Sequence, residues 1–134
     1  MLLCAEKFID RLKEDGMVPD VSTAKDGAIL VDMKHQGKEV RCIFRGDEGE
    51  YFTIFFVYES IPAEKKNDMI VACNDINAQY KWVKAYVDSD NDLIYQVDAK
   101  LSPDTAAEEA LEMVLRTVHI TDEIKPRVMK AIYA

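Results

Sequence analysis

Apolar positions recur along the chain with two periods, and the switches between them mark the elements. Near the N-terminus Ala5, Phe8, Ile9 and Leu12 fall on one face at helical spacing, with Glu6, Lys7, Arg11, Lys13 and Glu14 opposite. This spacing predicts an amphipathic helix over 2–15, stopped by Gly16 and kept from resuming by Pro19. The period then drops to two. Ile29, Val31 and Met33, then Val40, Cys42 and Phe44, then Phe52, Ile54 and Phe56 alternate with other residues. They predict strands over 29–34, 39–45 and 51–59. His35-Gln36-Gly37-Lys38 and Asp47-Glu48-Gly49 read as tight turns, which makes the three strands an antiparallel meander.

Helical spacing returns after Pro62, a residue suited to the first helical position. The predicted helix runs to about 78, with Met69, Ile70, Ala72, Cys73 and Ile76 as its apolar face. A second hairpin follows, with strands over 82–88 and 92–98 joined at Ser89-Asp90-Asn91. Ser102-Pro103-Asp104 then opens a helix to about 118, with Ser102 as its cap and Ala107, Leu111, Val114 and Val118 aligned. A last helix is expected between 121 and 133, with Ile124, Val128 and Ile132 aligned and its start blurred by Pro126. The predicted order is α-β-β-β-α-β-β-α-α, an α+β class with helices packed on an antiparallel sheet. No repeat or linker interrupts it, so residues 1–134 read as a single domain.

The strand residues opposite the core set are more apolar than a solvated face requires. They are Leu30, Ile43, Phe55, Val57, Trp82, Tyr86 and Ile94, mixed with Asp32, Arg41, Arg45, Thr53 and Lys84. Either a helix covers part of this second face or a partner does. In the second case Ile43, Phe55, Val57, Trp82, Tyr86 and Ile94 are the candidate partner-binding residues.

Composition narrows the classes. A net charge of −8, from 17 basic and 25 acidic residues, repels phosphate backbones. The longest basic run is Lys65-Lys66, so no nucleic-acid partner is expected. The three cysteines, Cys4, Cys42 and Cys73, are widely spaced and form no C-x-x-C pair. They read as core thiols of a reducing compartment. No apolar run reaches the roughly 18 residues of a membrane span. The first residues, interrupted by Glu6 and Lys7 and lacking a basic lead, do not read as a signal peptide. A cytoplasmic location without membrane contact is expected.

Candidate chemistry is sparse. Asp88-Ser89-Asp90-Asn91-Asp92 alternates carboxylates as a calcium loop does. Leu93 stands where such a loop needs glycine and Ala99 where it needs glutamate, so the segment reads as a turn. His35 falls in a turn and His119 between helices, neither with a partner in view. There is no G-x-S-x-G, phosphate-binding glycine loop or H-E-x-x-H. No catalytic, metal or cofactor site is expected, and the chain does not read as an enzyme. Asn74 and Asn77, at the end of the central helix, could meet a ligand. They read better as a joint, with Asn77 closing the helix and Asn74 tying it to the next hairpin.

Four stretches carry a family likeness: Ile61-Pro62 before the central helix, Asn74-x-x-Asn77 at its end, Trp82-Val83-Lys84-Ala85-Tyr86-Val87-Asp88, and Leu101-Ser102 before the next helix. In these the chain resembles the YbjN-like family of bacterial sensory-transduction regulators, whose fold is similar to that of type III secretion chaperones. The resemblance covers nearly the whole chain in element order. It implies a small non-enzymatic α+β domain that binds or regulates other proteins, and it carries over no catalytic residue. The expectation is a protein-interaction module that buries a partner segment on an apolar sheet face or helix edge, with homodimer formation as one form of this. The alternative is a small-molecule sensor with a pocket between the central helix and the Trp82 hairpin, lined by Asn74, Asn77 and Trp82.

Overall fold

In the computed structural model, which describes residues 1–133, the N-terminal stripe becomes helix α1 (Leu3–Glu14). Cys4, Ala5, Phe8, Ile9 and Leu12 are buried along it, as the spacing requires. The strands are β1 (Asp20–Thr23), β2 (Ile29–His35), β3 (Lys38–Arg45) and β4 (Tyr51–Ser60). A 3-10 turn at Ala63–Lys65 leads into helix α2 (Lys66–Gln79), followed by β5 (Lys84–Val87) and β6 (Asp92–Lys100). A second 3-10 turn at Pro103–Thr105 opens helix α3 (Ala106–Tyr133). All six strands join one antiparallel sheet in the order β1-β2-β3-β4-β6-β5. The class is α+β.

The element order departs from the sequence reading at two places. A short strand, β1, precedes the meander, so four strands rather than three lead to the central helix. All four of its residues are exposed, and Val21 is its one apolar residue, so no alternation announces it. The two predicted C-terminal helices are one helix of 28 residues that runs through Pro126. Its buried stripe is Ala106, Ala110, Val114, Thr117, Val118, Thr121, Ile124 and Val128. Thr117 and Thr121 are buried without cost, because their hydroxyls donate to the Met113 and Val118 carbonyls of the same helix. The stripe therefore crosses the expected break, and Ala107 and Leu111 lie only half-buried beside it.

Smaller corrections concern helix starts and faces. Ser102 does not cap through its side chain; its N–H instead donates to the Glu109 carboxylate at 2.9 Å. Pro62 precedes the 3-10 turn, and the α-helix begins at Lys66. On α2 Met69, Ala72, Cys73 and Ile76 are buried, while Ile70 points outward.

All three helical stripes meet the same face of the sheet. The core joins them to Ile29, Val31, Met33, Val40, Cys42, Phe44, Phe52, Ile54, Phe56, Tyr95 and Val97. Phe8 of α1 sits 5.6 Å from Phe44 and 6.4 Å from Phe52, ring centre to ring centre. Each such ring contributes about 1.5–3 kcal/mol by burial. Exposed ion pairs between elements, such as Arg127 of α3 to Asp75 of α2 at 2.8 Å, contribute at most about 1 kcal/mol. Burial, not charge, therefore seats the helices.

Tyr95 is the one misfit in this core. It is fully buried between Phe56 and Tyr58, and its hydroxyl has no hydrogen-bond partner among the described residues. An unsatisfied buried hydroxyl costs about 1–3 kcal/mol. Tyr95→Phe is accordingly expected to leave stability unchanged or raise it by about 1 kcal/mol. Urea unfolding of the two proteins checks this, and a clear loss of stability in the phenylalanine variant would reveal a hidden partner for the hydroxyl.

Candidate functional site

Side chains directly opposite in a sheet share a face, so the register assembles the surface away from the helices row by row. One row reads Asp20, Asp32, Arg41, Phe55, Gln96 and Lys84 across all six strands. The next contains Leu30, Ile43, Thr53 and Asp98. On the other side lie Val57, Ile94 and Tyr86. Since the helices pack on the opposite face, no helix covers these rows, and the helix-covered alternative is set aside.

The partner-binding candidates divide on this surface. Ile43, Phe55 and Tyr86 are half-buried, and Val57 is 54% exposed. Ile94 points to the same face yet is only 1% exposed, flanked in register by Val57 and Tyr86. The Tyr86 hydroxyl donates to Gln96 Oε1 at 2.8 Å, which leans its ring along β6. Ile94 is thus part of the protein's own packing and is not available to a partner. Trp82 is misplaced as well. The strand begins at Lys84, and Trp82 precedes it, half-exposed, with the Arg116 guanidinium of α3 5.5 Å from its ring centre. It faces the helical layer, apart from Tyr86.

Charges on the open face are mostly matched within the chain. Arg41 holds Asp32 with two bonds of 2.8 and 2.9 Å. Lys84 lies 3.8 Å from Asp98, which also accepts from Thr53 Oγ1. The Ala28 N–H and the Arg45 guanidinium hold the Asp26 carboxyl below its ordinary value. Asp20 is the exception: among the described residues it has no ion-pair partner. It borders a cleft of about 690 Å³ walled by Met17, Val18 and Pro19, with Phe55 and Val57 on the sheet side. Sequence reasoning missed Asp20 and its strand. The available signal was Asp26-Gly27, a hairpin dipeptide whose Asp26 Oδ1 accepts the Ala28 N–H at 3.1 Å.

The asparagines separate in role. Asn77 Nδ2 donates to the Ala85 carbonyl at 3.0 Å, and Asn77 Oδ1 accepts the Ala85 N–H at 2.8 Å. The side-chain amide thereby stands in for one residue of a neighbouring strand at the β5 edge. The tie expected of Asn74 is made by Asn77, while Asn74 is exposed on the helix surface. Of the three residues expected to line a pocket at the junction of central helix and hairpin, Asn77 is engaged by backbone, Trp82 lies against Arg116 and Asn74 is exposed on the helix. The cleft lies on the open face.

The remaining candidates are local structure. Asp88 Oδ1 accepts the N–H groups of Asp90 and Asp92 at 3.0 and 2.9 Å, which fixes the hairpin turn. His119 lies inside α3, not between helices, with Nε2 3.0 Å from Glu123 Oε1 one turn on. All three cysteines are buried. Among the described residues no helix is long and apolar enough to cross a membrane.

These features define an α+β protein with a one-sided helical layer and a half-apolar, open sheet face. Residues 6–128 match the YbjN family, described as a putative bacterial sensory transduction regulator. The match spans most of the chain, which belongs to that family. No curated protein matches it.

Two outcomes test this geometry. Asn77→Ala strips both bonds from Ala85 and is expected to cost about 1–2 kcal/mol, with faster hydrogen exchange at the Ala85 amide. Unchanged exchange there would show that the asparagine does not close the edge. The second concerns alkaline pH. Burial pushes the Cys73 thiol from near 9 up to about 11, and burial likewise raises Cys4 and Cys42. A raised folded-state value means the unfolded chain ionises first. The stability these thiols contribute is full below pH 9 and is lost as pH rises toward 11. Urea midpoints should therefore fall across that window, with less of a fall in Cys73→Ala.

Proposed function

We propose that this protein is a non-enzymatic regulatory module of the secretion-chaperone-like type that holds a partner protein segment against its open sheet face in the cytoplasm. One observation carries the reading. Every helix packs on one side of the sheet, and the other side keeps Ile43, Phe55, Val57 and Tyr86 within reach of a docking chain. Aromatic residues seated in a partly desolvated surface are the usual anchors of an interface, and removing apolar area from water is worth roughly 25 cal/mol per Å². The acidic surface limits unwanted partners by repulsion. A homodimer formed through this same face is the self-associating form of the proposal.

Val57 is the position to test, because its exposure makes a charge there tolerable to the fold. Val57→Glu is expected to keep the wild-type melting temperature within a few degrees. It should also lose a protein that the wild-type chain retains in affinity capture from its native host. Sedimentation velocity follows the self-associating form. If both proteins recover the same set and both sediment as monomers, the open face is not the docking surface.

A further inference from the structure

The two edges of the sheet are unlike, and the difference points to where a partner chain joins it. In the β1–β2 hairpin the Ala24 N–H donates to the Ala28 carbonyl at 2.9 Å, so Ala24 faces β2. Alternation along the strand turns Ser22 and Asp20 the same way and sends the N–H and C=O groups of Val21 and Thr23 outward. Among the described residues nothing bonds to those four groups. At the far edge the same alternation sends Ala85 outward, and there Asn77 takes both of its groups. The β5 edge is thus closed at Ala85, with α2 packed beside the strand, while the outward groups of Val87 have no bond among the described residues; the β1 edge has no such closure at either outward residue. Edge strands are commonly blunted by a bulge, a lysine or a proline. β1 has no bulge, lysine or proline within it; its guards are its length of four residues, Asp20 and the preceding Pro19.

Charge on the open edge is also incomplete. Asp20 lies directly across from Asp32 in the row that runs through Arg41 and Phe55. Like charges opposite one another are unfavourable. Arg41 neutralises Asp32, and among the described residues no cation is within ion-pair distance of Asp20, although Lys34 lines the same cleft. A strand added beside β1 would place one side chain next to Asp20 on the open face. Its neighbour two residues along points to the same face, toward the cleft, where Val18, Pro19, Phe55 and Val57 give apolar walls beside the charged Lys34 and Glu39. Val18 is 92% exposed.

We propose that β1 accepts an extended segment of a partner protein as a seventh strand, with a lysine or arginine beside Asp20 and an apolar side chain two residues away in the cleft. The backbone groups of Val21 and Thr23 supply the shared hydrogen bonds, and Asp20 with the cleft supplies the selection. This rests on reading the open face as a docking surface, and it names the edge, the side-chain order and the charge of the occupant.

The test is an NMR titration of the full chain with a blocked octapeptide of two Lys-Thr-Val-Thr repeats, which sets lysine and valine two residues apart on one strand face, against a matched peptide with glutamate in place of each lysine. The lysine peptide is expected to shift the Val21 and Thr23 amides and slow their hydrogen exchange, and the glutamate peptide to leave them unmoved. Asp20→Lys should weaken binding by about tenfold. Val21→Pro, which deletes an outward donor, should weaken it further, and Asp20→Lys keeps the test valid should the proline variant fail to fold. Equal binding of both peptides, or shifts scattered over acidic side chains, overturns the proposal. Shifts confined to Phe55, Val57 and Tyr86 overturn it while leaving the open-face reading intact. No shift on either the edge or the face overturns both.

Discussion

Burial of three helical stripes against a single face of the sheet is the constraint on which the rest of the molecule depends. Phe8 seats α1 on Phe44 and Phe52, and Cys73 and Ile76 seat α2 in the same core. α3, about 42 Å long at the usual helical rise, lies against both of the other helices. Once the helices have taken this face, no helix among the described residues covers the other, which only the segment 17–19 borders. The half-apolar rows of β2 to β6 are left to solvent and to whatever docks there. The family's description as a sensory transduction regulator fits a chain whose exposed features are surfaces for contact.

The sheet edges refine that picture. Asn77 reaches β5 from a helix on the covered side and takes both outward groups of Ala85. β1 has no such neighbour. Asp20, the cleft and the Phe55–Val57 side of the sheet lie together on the open face, so the proposed partner would meet all three at once. The ion pair of Arg41 with Asp32 holds its place in the middle of that approach without needing a partner.

Much of this was legible in the residues, for reasons that differ by element. Phe8, Ile9 and Leu12, and the alternation through β2, β3 and β4, carry strong periods because one side of each element is buried and the other is wet. Asn77 was placed at the correct joint, but its bonds to Ala85 depend on a helix meeting an edge, which no local pattern records. β1 escaped because a strand exposed on all sides has no period, and only Asp26-Gly27 hinted at its turn. The sequence divides α3 near 118–121 because Pro126 argues against one continuous helix, whereas the buried stripe runs on through Thr117 and Thr121, whose hydroxyls bond within the helix. Ile94 was assigned to the right face, yet its accessibility is decided by Val57 and Tyr86 on neighbouring strands. Trp82 was lost to the same cause: its environment belongs to α3, more than thirty residues later in the chain.

The bond between Asn77 and Ala85 also sets an order of events. The two residues are eight apart, whereas Thr53 and Asp98, which join β4 to β6, are 45 apart. Loops of about ten residues close in roughly 10–100 ns, far ahead of long-range strand pairing. A nascent chain can therefore occupy the outer side of β5 with its own asparagine while the sheet is still being assembled. The closure of the β5 edge at Ala85 is thus local in sequence, whereas any cover for the outward groups of Val21 and Thr23 would have to come from farther away.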